Sequence, residues 1–431
     1  MTRNVALLVL DCARADIAAE ELTRLREQAD LVFDRCRAAS PWSVPSHANL
    51  LTGELPHQHG VHAHNTDYGT LENTFLDELN HNSVSISANS YASSTFNFDS
   101  HFDTFHDVRP NRYFNDAIDL NECLSEQDTI FGILRNILSH DKPIKSALNA
   151  AYLGTKHVSQ TAPMAGLMDE GTRRQIKQCL TIDKEPFFLF ANFMEAHRPM
   201  YHHIGLDAKE VPYRWTSREV GKWDIIEAEN PSEQFEAYLD RYRSLYRSSL
   251  RYMDRHLATL IEKVQANTTR ETTVIVTADH GENLCLEGDN GLIDHVGTLN
   301  DALLDVPLLV FNPPTAEEGA RNNLISHLDI PRLVVEFACD ECWFPDREVA
   351  LAEVIGALGE PPVDPDYWDR AIRQCYHPNG SQTWDSLAEH LPEADTEYFD
   401  VGIRSYKKRV SGRTEDFDDA TQRQLEDLGY L

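Results

Sequence analysis

The sequence predicts an α/β fold whose buried sheet carries a ligand site at the carboxyl ends of its strands. Three runs of residues predict it. Residues 4–10, Asn-Val-Ala-Leu-Leu-Val-Leu, are almost unbroken in apolar character and end in Asp11. Residues 272–277, Thr-Thr-Val-Ile-Val-Thr, lead into Ala278-Asp279-His280-Gly281-Glu282. Residues 187–193, Phe-Phe-Leu-Phe-Ala-Asn-Phe, form the third run. Short apolar runs of this kind read as strands covered on both faces. Ligands of open α/β sheets collect at strand carboxyl ends. Two such strands, each ending in a hard ligand, point to a metal site at that edge.

Length and charge bound the rest. A chain of 431 residues has room for one large domain, or for one large and one small. Seventy acidic residues stand against 39 basic ones, of which 10 are Lys, for a formal net charge of -31. Dense carboxylates with few lysines suit a salt-rich cytoplasm, where salt screens their repulsion; an ordinary acidic mesophilic protein is the alternative. Such a surface is a poor partner for nucleic acid. No run is long and apolar enough to span a membrane. The first apolar run is too short for a signal core and lacks a cleavage site, so the expectation is a cytoplasmic protein. The eight Cys are scattered. Cys339-Asp-Glu-Cys342 has zinc-knuckle spacing without a second pair, so packed or surface thiols are expected.

Taken in order, a helix is expected over residues 18–28 and a short strand over 31–33. Pro41 and Pro45 hold the next stretch extended, and Ser46 or a neighbour caps a helix beginning near His47. Ser43 is then expected just before a helix N-terminus, where free N–H groups favour an anion. Residues 83–89 read as a strand. Residues 110–180 read as mainly helical insertions, with helical spacing over 128–138. The polar segment 205–235, with Trp215, Trp223 and Pro231, is expected to loop over the crevice. Residues 232–265 read as a long helix whose stripe of Tyr238, Tyr242, Leu245, Tyr246, Tyr252, Met253 and Leu257 belongs to the core. The His202-His203 pair is assigned no role. Residues 346–356 and 401–410 read as short strands, 361–365 and 377–380 as turns, and 422–431 as a closing helix.

Several segments together resemble one family. Ser43-Val44-Pro45-Ser46-His47-Ala48-Asn49-Leu50-Leu51-Thr52-Gly53 resembles the sulfatase signature Cys/Ser-x-Pro-Ser-Arg-x-x-Leu-Leu-Thr-Gly. Val9-Leu10-Asp11-Cys12-Ala13-Arg14-Ala15-Asp16 is similar to the family's Leu-Asp-Asp-x-Arg-Ala-Asp segment. Phe96 to Asp103, Met194 to Tyr201, Asp294-His295-Val296-Gly297 and Ile325 to Ile330 keep its order. The chain thus resembles the sulfatase branch of the alkaline phosphatase superfamily, and its acidity suggests a haloarchaeal-type member. The resemblance implies a three-layer αβα sandwich with a mixed, mostly parallel central sheet. It implies a catalytic domain over 1–340, with insertions near 110–180 and 205–235, and a small antiparallel α+β subdomain over 341–431.

The resemblance also implies a site. Asp11, Ser43, Asp279 and His280 would hold one divalent ion, Ca²⁺ by resemblance, with Mn²⁺, Mg²⁺ or Zn²⁺ compatible with the donor types. Ser43 would be the nucleophile. His197 and His295 would protonate the leaving group or bind its oxygens. His47 and Arg14 complete the candidate set. Two positions depart from the family pattern. Cys12 replaces a second Asp, so Asp11 is expected to carry that corner of the metal site alone. His47 replaces the Arg of the signature. Sulfatases oxidise this Cys or Ser to formylglycine in a maturation that reads the Arg, so Ser43 is expected to act unmodified. The leading expectation is a metal-dependent hydrolase of a sulfate ester, on a small molecule or glycan. The alternatives are a phosphodiesterase, phosphonate monoester hydrolase or phosphotransferase, and a non-catalytic relative that binds an anionic glycan or lipid head group. Oligomeric state is left open.

Overall fold

The computed structural model describes residues 2–108, 113–114, 117–118, 130–161, 169–295, 298–315, 318–345, 347–356, 370–377 and 379–386. The expected turn at 361–365, the strand at 401–410, the helix at 422–431 and the Val296-Gly297 pair lie outside them.

All three apolar runs are strands with every residue buried: β1 (Asn4–Leu10), β5 (Phe187–Phe193) and β6 (Thr272–Thr277). Each fully covered Leu, Val or Phe among them contributes about 1.5–3 kcal/mol relative to exposure. The other strands of the sheet are β2 (Leu31–Arg37), β3 (Asn82–Ser87), β4 (Thr104–Asp107), β9 (Asp305–Phe311), β10 (Gly319–Arg321) and β11 (Ile325–Ser326). Their order is β10-β2-β9-β6-β1-β5-β3-β4, with β11 also paired to β2. β1 runs parallel to β5 and β6, and β3 parallel to β4 and β5. β9 runs antiparallel to both neighbours, β2 and β6. The sheet is therefore mixed and mostly parallel, as the resemblance implies, and apart from it β7 (Asn283–Leu284) pairs antiparallel with β8 (Ile293–Asp294).

Helices cover the sheet. The 32-residue helix Glu236–Asn267 lies against β6 and against the helices Ala15–Glu21, Thr23–Gln28 and Thr172–Cys179. The helices Ser43–Thr52 and Ile330–Ala338 pack on each other, and the second also packs on β1. The tyrosine stripe of the long helix is buried, in keeping with a core role. Residues 18–28 form two short helices broken at Leu22 rather than one. The segment 205–235 holds short helical turns, Ser217–Glu219, Lys222–Ile226 and Pro231–Gln234, instead of plain loop.

A second sheet joins β12 (Ala350–Ile355), β13 (Ala371–His377) and β14 (Gly380–Asp385) in antiparallel register. His377 pairs with Gly380 across the expected turn. Ala352, Val354 and Ile372 of this sheet belong to the same buried cluster as the main sheet. A buried ionic group ties the two together. The Glu353 carboxylate accepts from Arg373, from the His57 backbone N–H at 2.7 Å and from the His57 ring at 3.0 Å.

Candidate active site and metal centre

Four adjacent strands deliver the site. Asp11 follows β1, Asp279 lies two residues beyond β6, Asn192 sits near the end of β5, and Asn89 lies two residues beyond β3. All four are essentially without solvent exposure. They stand along one carboxyl edge because parallel strands end together. The Asp11 backbone N–H is fixed by the Phe193 carbonyl at 2.9 Å.

Ser43 is the first residue of its helix, not the residue before it. Trp42 is the N-cap and offers no side-chain cap, while Pro45 falls in the first turn, where a missing N–H costs nothing. The helix therefore begins four residues before His47, and Ser46, expected as the cap, instead donates its hydroxyl to the Asp279 carbonyl. Ser43 Oγ accepts from Asn89 Nδ2 at 3.1 Å and lies 3.4 Å from His280 Nε2. His280 Nδ1 meets the Gly281 carbonyl at 2.8 Å and must donate to it, so the Nε2 lone pair faces Ser43. Asn89 Nδ2 also donates to Asp11 Oδ2 at 2.7 Å, and Asn192 Nδ2 donates to the same oxygen at 3.1 Å.

Asp279 is used asymmetrically. Its Oδ1 accepts from the backbone N–H groups of Cys12 at 3.2 Å and His280 at 2.9 Å. Its Oδ2 is buried, has no hydrogen-bond partner among the described residues, and lies 3.4 Å from His280 Nε2. Burial, then the neighbouring charge of Asp11, pushes the Asp279 carboxyl up to about 7. Burial acts the same way on Asp11, but His197, His280, His47 and the Asn89 hydrogen bond outweigh it and hold that carboxyl far below its usual range. Burial and nearby His295 depress His280 to about 4, keeping its ring neutral. Two buried carboxylates, a neutral imidazole and an unsatisfied carboxylate oxygen make a donor set that fits a divalent cation. Ligand atoms of Asp11, Cys12 and His280 lie within 4.8 Å of one another, as do those of Asp11, His47 and Asp279.

Cys12 adopts a left-handed backbone, φ 63°, a state that costs a non-glycine residue about 1–3 kcal/mol. Tyr246 holds it there by donating to the Cys12 carbonyl at 2.7 Å. The Cys12 Sγ lies 3.3 Å from Asp11 Oδ1 and 3.8 Å from His295 Nδ1. A thiol therefore sits beside Asp11 at its corner of the cluster. Burial, Glu282, Asp11 and Asp279 keep the thiol protonated well above its ordinary range.

His295 and His197 face each other with ring centroids 5.1 Å apart, and His295 lies 4.7 Å from His280. Burial opposes the charged form of His295, but Asp294 and Glu282, at 3.0 and 3.1 Å from Nδ1, raise it to about 9. Burial lowers His197 to about 4. His295 is the partly exposed member of the group and marks its mouth. Asp294 is in turn held by Arg198 at 3.2 Å, whose guanidinium also donates to the Ser217 and Val220 carbonyls, and by Lys222 at 3.9 Å. The 205–235 segment reaches the site through these contacts.

Two candidates are placed differently. All three Arg14 guanidinium nitrogens are engaged by Asp16, Asp289 and the Glu282 carbonyl, so Arg14 braces the loop at Glu282 instead of reaching Ser43. His47 donates Nδ1–H to the Ser43 carbonyl at 2.7 Å and accepts from Asn192 at Nε2, 3.1 Å. It packs between Phe98 and Phe190. Behind it His327 is fully buried, with neither ring nitrogen hydrogen-bonded among the described residues; burial, His280 and His47 lower it to about 3.

Sequence reasoning missed Asn89, Asn192, Glu282 and Asp294. The signal for Asn192 was present, as the one amide inside an otherwise apolar run. His202 and His203 are buried, with His203 3.5 Å from Glu195. Cys339 and Cys342 are exposed thiols.

A family model described as Sulfatase matches residues 12–338. No curated protein matches the chain. Among solved structures, a 2-O GAG sulfatase is similar at 14% identity and TM-score 0.55, covering 98% of this chain and 96% of that one. The phosphonate monoester hydrolase of Agrobacterium radiobacter is similar at 16% identity and TM-score 0.56, covering 95% of each. A protein solved in complex with its substrate D-glucosamine-2-N,6-O-disulfate is similar at 13% identity and TM-score 0.53, covering 99% and 98%. At these identities the likeness establishes the fold.

Proposed function

The chain belongs to the sulfatase family, and from that premise we propose that it is a metal-dependent hydrolase that cleaves a sulfate ester with Ser43 as nucleophile. The observation that carries this reading is Ser43 Oγ on the first turn of a ten-residue helix, 3.4 Å from His280 Nε2 and joined through Asn89 to Asp11. Asp11, Ser43, Asp279 and His280 would hold a divalent cation, which when bound lowers the hydroxyl pKa and offsets charge on the attacked ester. Ser43 Oγ, its hydroxyl proton lost to solvent at the lowered pKa, forms a bond to sulfur as the bond to the leaving-group oxygen breaks. Free N–H groups of the first helical turn favour the anionic group placed there. His295, held as an imidazolium, gives its proton to the departing oxygen. His197, neutral and beside it, takes a proton from the water that releases the Ser43 ester.

A phosphate or phosphonate ester is the second reading. It is favoured by the Ser43–His280 pairing and by His47, which is tied to Asn192 where the signature has an Arg. A sugar-borne ester suits either reading, since one structural relative was solved with a sulfated glucosamine. The acid–base geometry at His295 speaks against a purely binding relative. The charge of -31 suggests work in a salt-rich cytoplasm. Paired assays with p-nitrophenyl sulfate and bis-p-nitrophenyl phosphate, in high salt with Ca²⁺, Mg²⁺, Mn²⁺ or Zn²⁺, test the proposal. The sulfate ester is expected to turn over faster. Faster phosphate turnover selects the second reading, and a wild-type rate in Ser43→Ala overturns both.

A further inference from the structure

Cys12 stands where the family pattern has a carboxylate, and its placement gives the thiol a role. We propose that the Cys12 thiolate is a further ligand of the ion held by Asp11, Asp279 and His280, and that the centre therefore selects zinc-class ions over Ca²⁺ and Mg²⁺. The proposal rests on reading that cluster as a metal centre.

Three independent features converge on it. The Cys12 Sγ is 3.3 Å from Asp11 Oδ1 and within 4.8 Å of the His280 ligand atom. That is a separation two ligands of one small ion can share. The Cys12 backbone is left-handed at φ 63°, with its N–H on Asp279 Oδ1 and its carbonyl on the Tyr246 hydroxyl, so the chain is pinned on both sides of the Sγ. Opposite it, Asp279 Oδ2 is fully buried without a hydrogen-bond partner among the described residues, 3.4 Å from His280 Nε2.

The donor chemistry sets the ion. A hard cation such as Ca²⁺ wants six to eight oxygens, whereas thiolate and imidazole suit Zn²⁺ and its analogue Co²⁺. Replacing a carboxylate by a thiol removes an oxygen donor and adds a soft one at the same corner. His47, whose ligand atom clusters with those of Asp11 and Asp279, adds a second nitrogen to the surroundings. Binding the ion displaces the thiol proton to solvent, one proton per ion at this residue.

The test is cobalt spectroscopy on the untagged full chain. Cys339 and Cys342 are exposed and spaced to bind cobalt themselves, so both are first changed to Ser. In that background, stoichiometric Co²⁺ is expected to give an intense near-ultraviolet thiolate-to-cobalt charge-transfer band. Cys12→Ser is expected to lose the band while still binding Co²⁺. Zn²⁺ binding should weaken by at least about 10-fold, the low end of what even changes around a ligand cost. Cys12→Asp should regain oxygen-seeking behaviour and bind Ca²⁺ more tightly than the parent does. Bound Co²⁺ without the band, or a band unchanged in Cys12→Ser, overturns the ligand assignment and leaves the metal centre standing. Failure to bind any ion, or binding indifferent to Asp279→Asn, overturns the metal centre itself.

Discussion

Tyr242 donates its hydroxyl to Glu282 Oε1 at 2.7 Å, and Glu282 Oε2 lies 3.1 Å from His295 Nδ1. A tyrosine of the long helix therefore steadies one of the two carboxylates, after Asp294, that raise His295.

That relationship sets a pH dependence. His295 is raised from its ordinary value of 6.5 to about 9, so activity that needs the imidazolium should fall as pH rises through about 9. Stability follows the same sign. The contribution of this ion pair is fully present below about 6.5 and is lost as pH passes through the folded value. Glu282→Gln removes one of the negative neighbours, so the alkaline limb of kcat/KM should move to lower pH. An alkaline limb that stays in place in Glu282→Gln would clear His295 of the acid role.

Ser43→Ala should reduce kcat by about 10³-fold or more, as removal of a nucleophile does elsewhere, with the thermal transition preserved. Intact mass of the peptide containing Ser43 should match plain serine. A deficit of two hydrogens would show formylglycine and end the unmodified-serine reading.

Asn89 serves two masters, Asp11 Oδ2 and Ser43 Oγ. Asn89→Ala should lower both metal affinity and kcat, by about 10- to 100-fold each. A change confined to KM would place Asn89 on the substrate instead.

The Glu353–Arg373–His57 group is a stability element. Arg373→Met strands a buried carboxylate and should cost about 3–5 kcal/mol, read by urea unfolding. His57 and Arg373 outweigh burial and lower the Glu353 carboxyl below its usual range. Its contribution is present above the ordinary carboxylate pKa and is lost as pH falls through the folded value. In Glu353→Gln that loss on acidification should be smaller.

The surplus of carboxylates should make stability salt-dependent. Raising KCl from about 0.1 M to molar concentrations shortens the Debye length from about 10 Å to about 3 Å, and the melting temperature should climb. A flat or falling profile would count against adaptation to salt.

Much of this was legible from residues alone. The three apolar runs placed β1, β5 and β6, because burial on both faces demands continuous apolar sequence. Asp11, Asp279 and His280 come close to Ser43 because they follow neighbouring strands while Ser43 opens a helix. What could not be read was pairing across the chain. Asn89 touches Asp11 only because β3 and β1 both flank β5, an order the sequence does not spell out. Arg14 has three partners, and nothing local ranks Asp289 above the ester site. The start of the Ser43 helix was read four residues late because Pro45 looked like a barrier, although the first turn tolerates it.

His57, just past the Ser43 helix, is made long before Glu353, the carboxylate it donates to, and before Arg373, which holds that carboxylate. The Ser43 helix thus leaves the ribosome well before β12 and β13, which carry Glu353 and Arg373. A nascent chain released before Arg373 should then lack a settled site even though Asp11, Ser43, Asp279 and His280 are already made, so activity should appear late in translation.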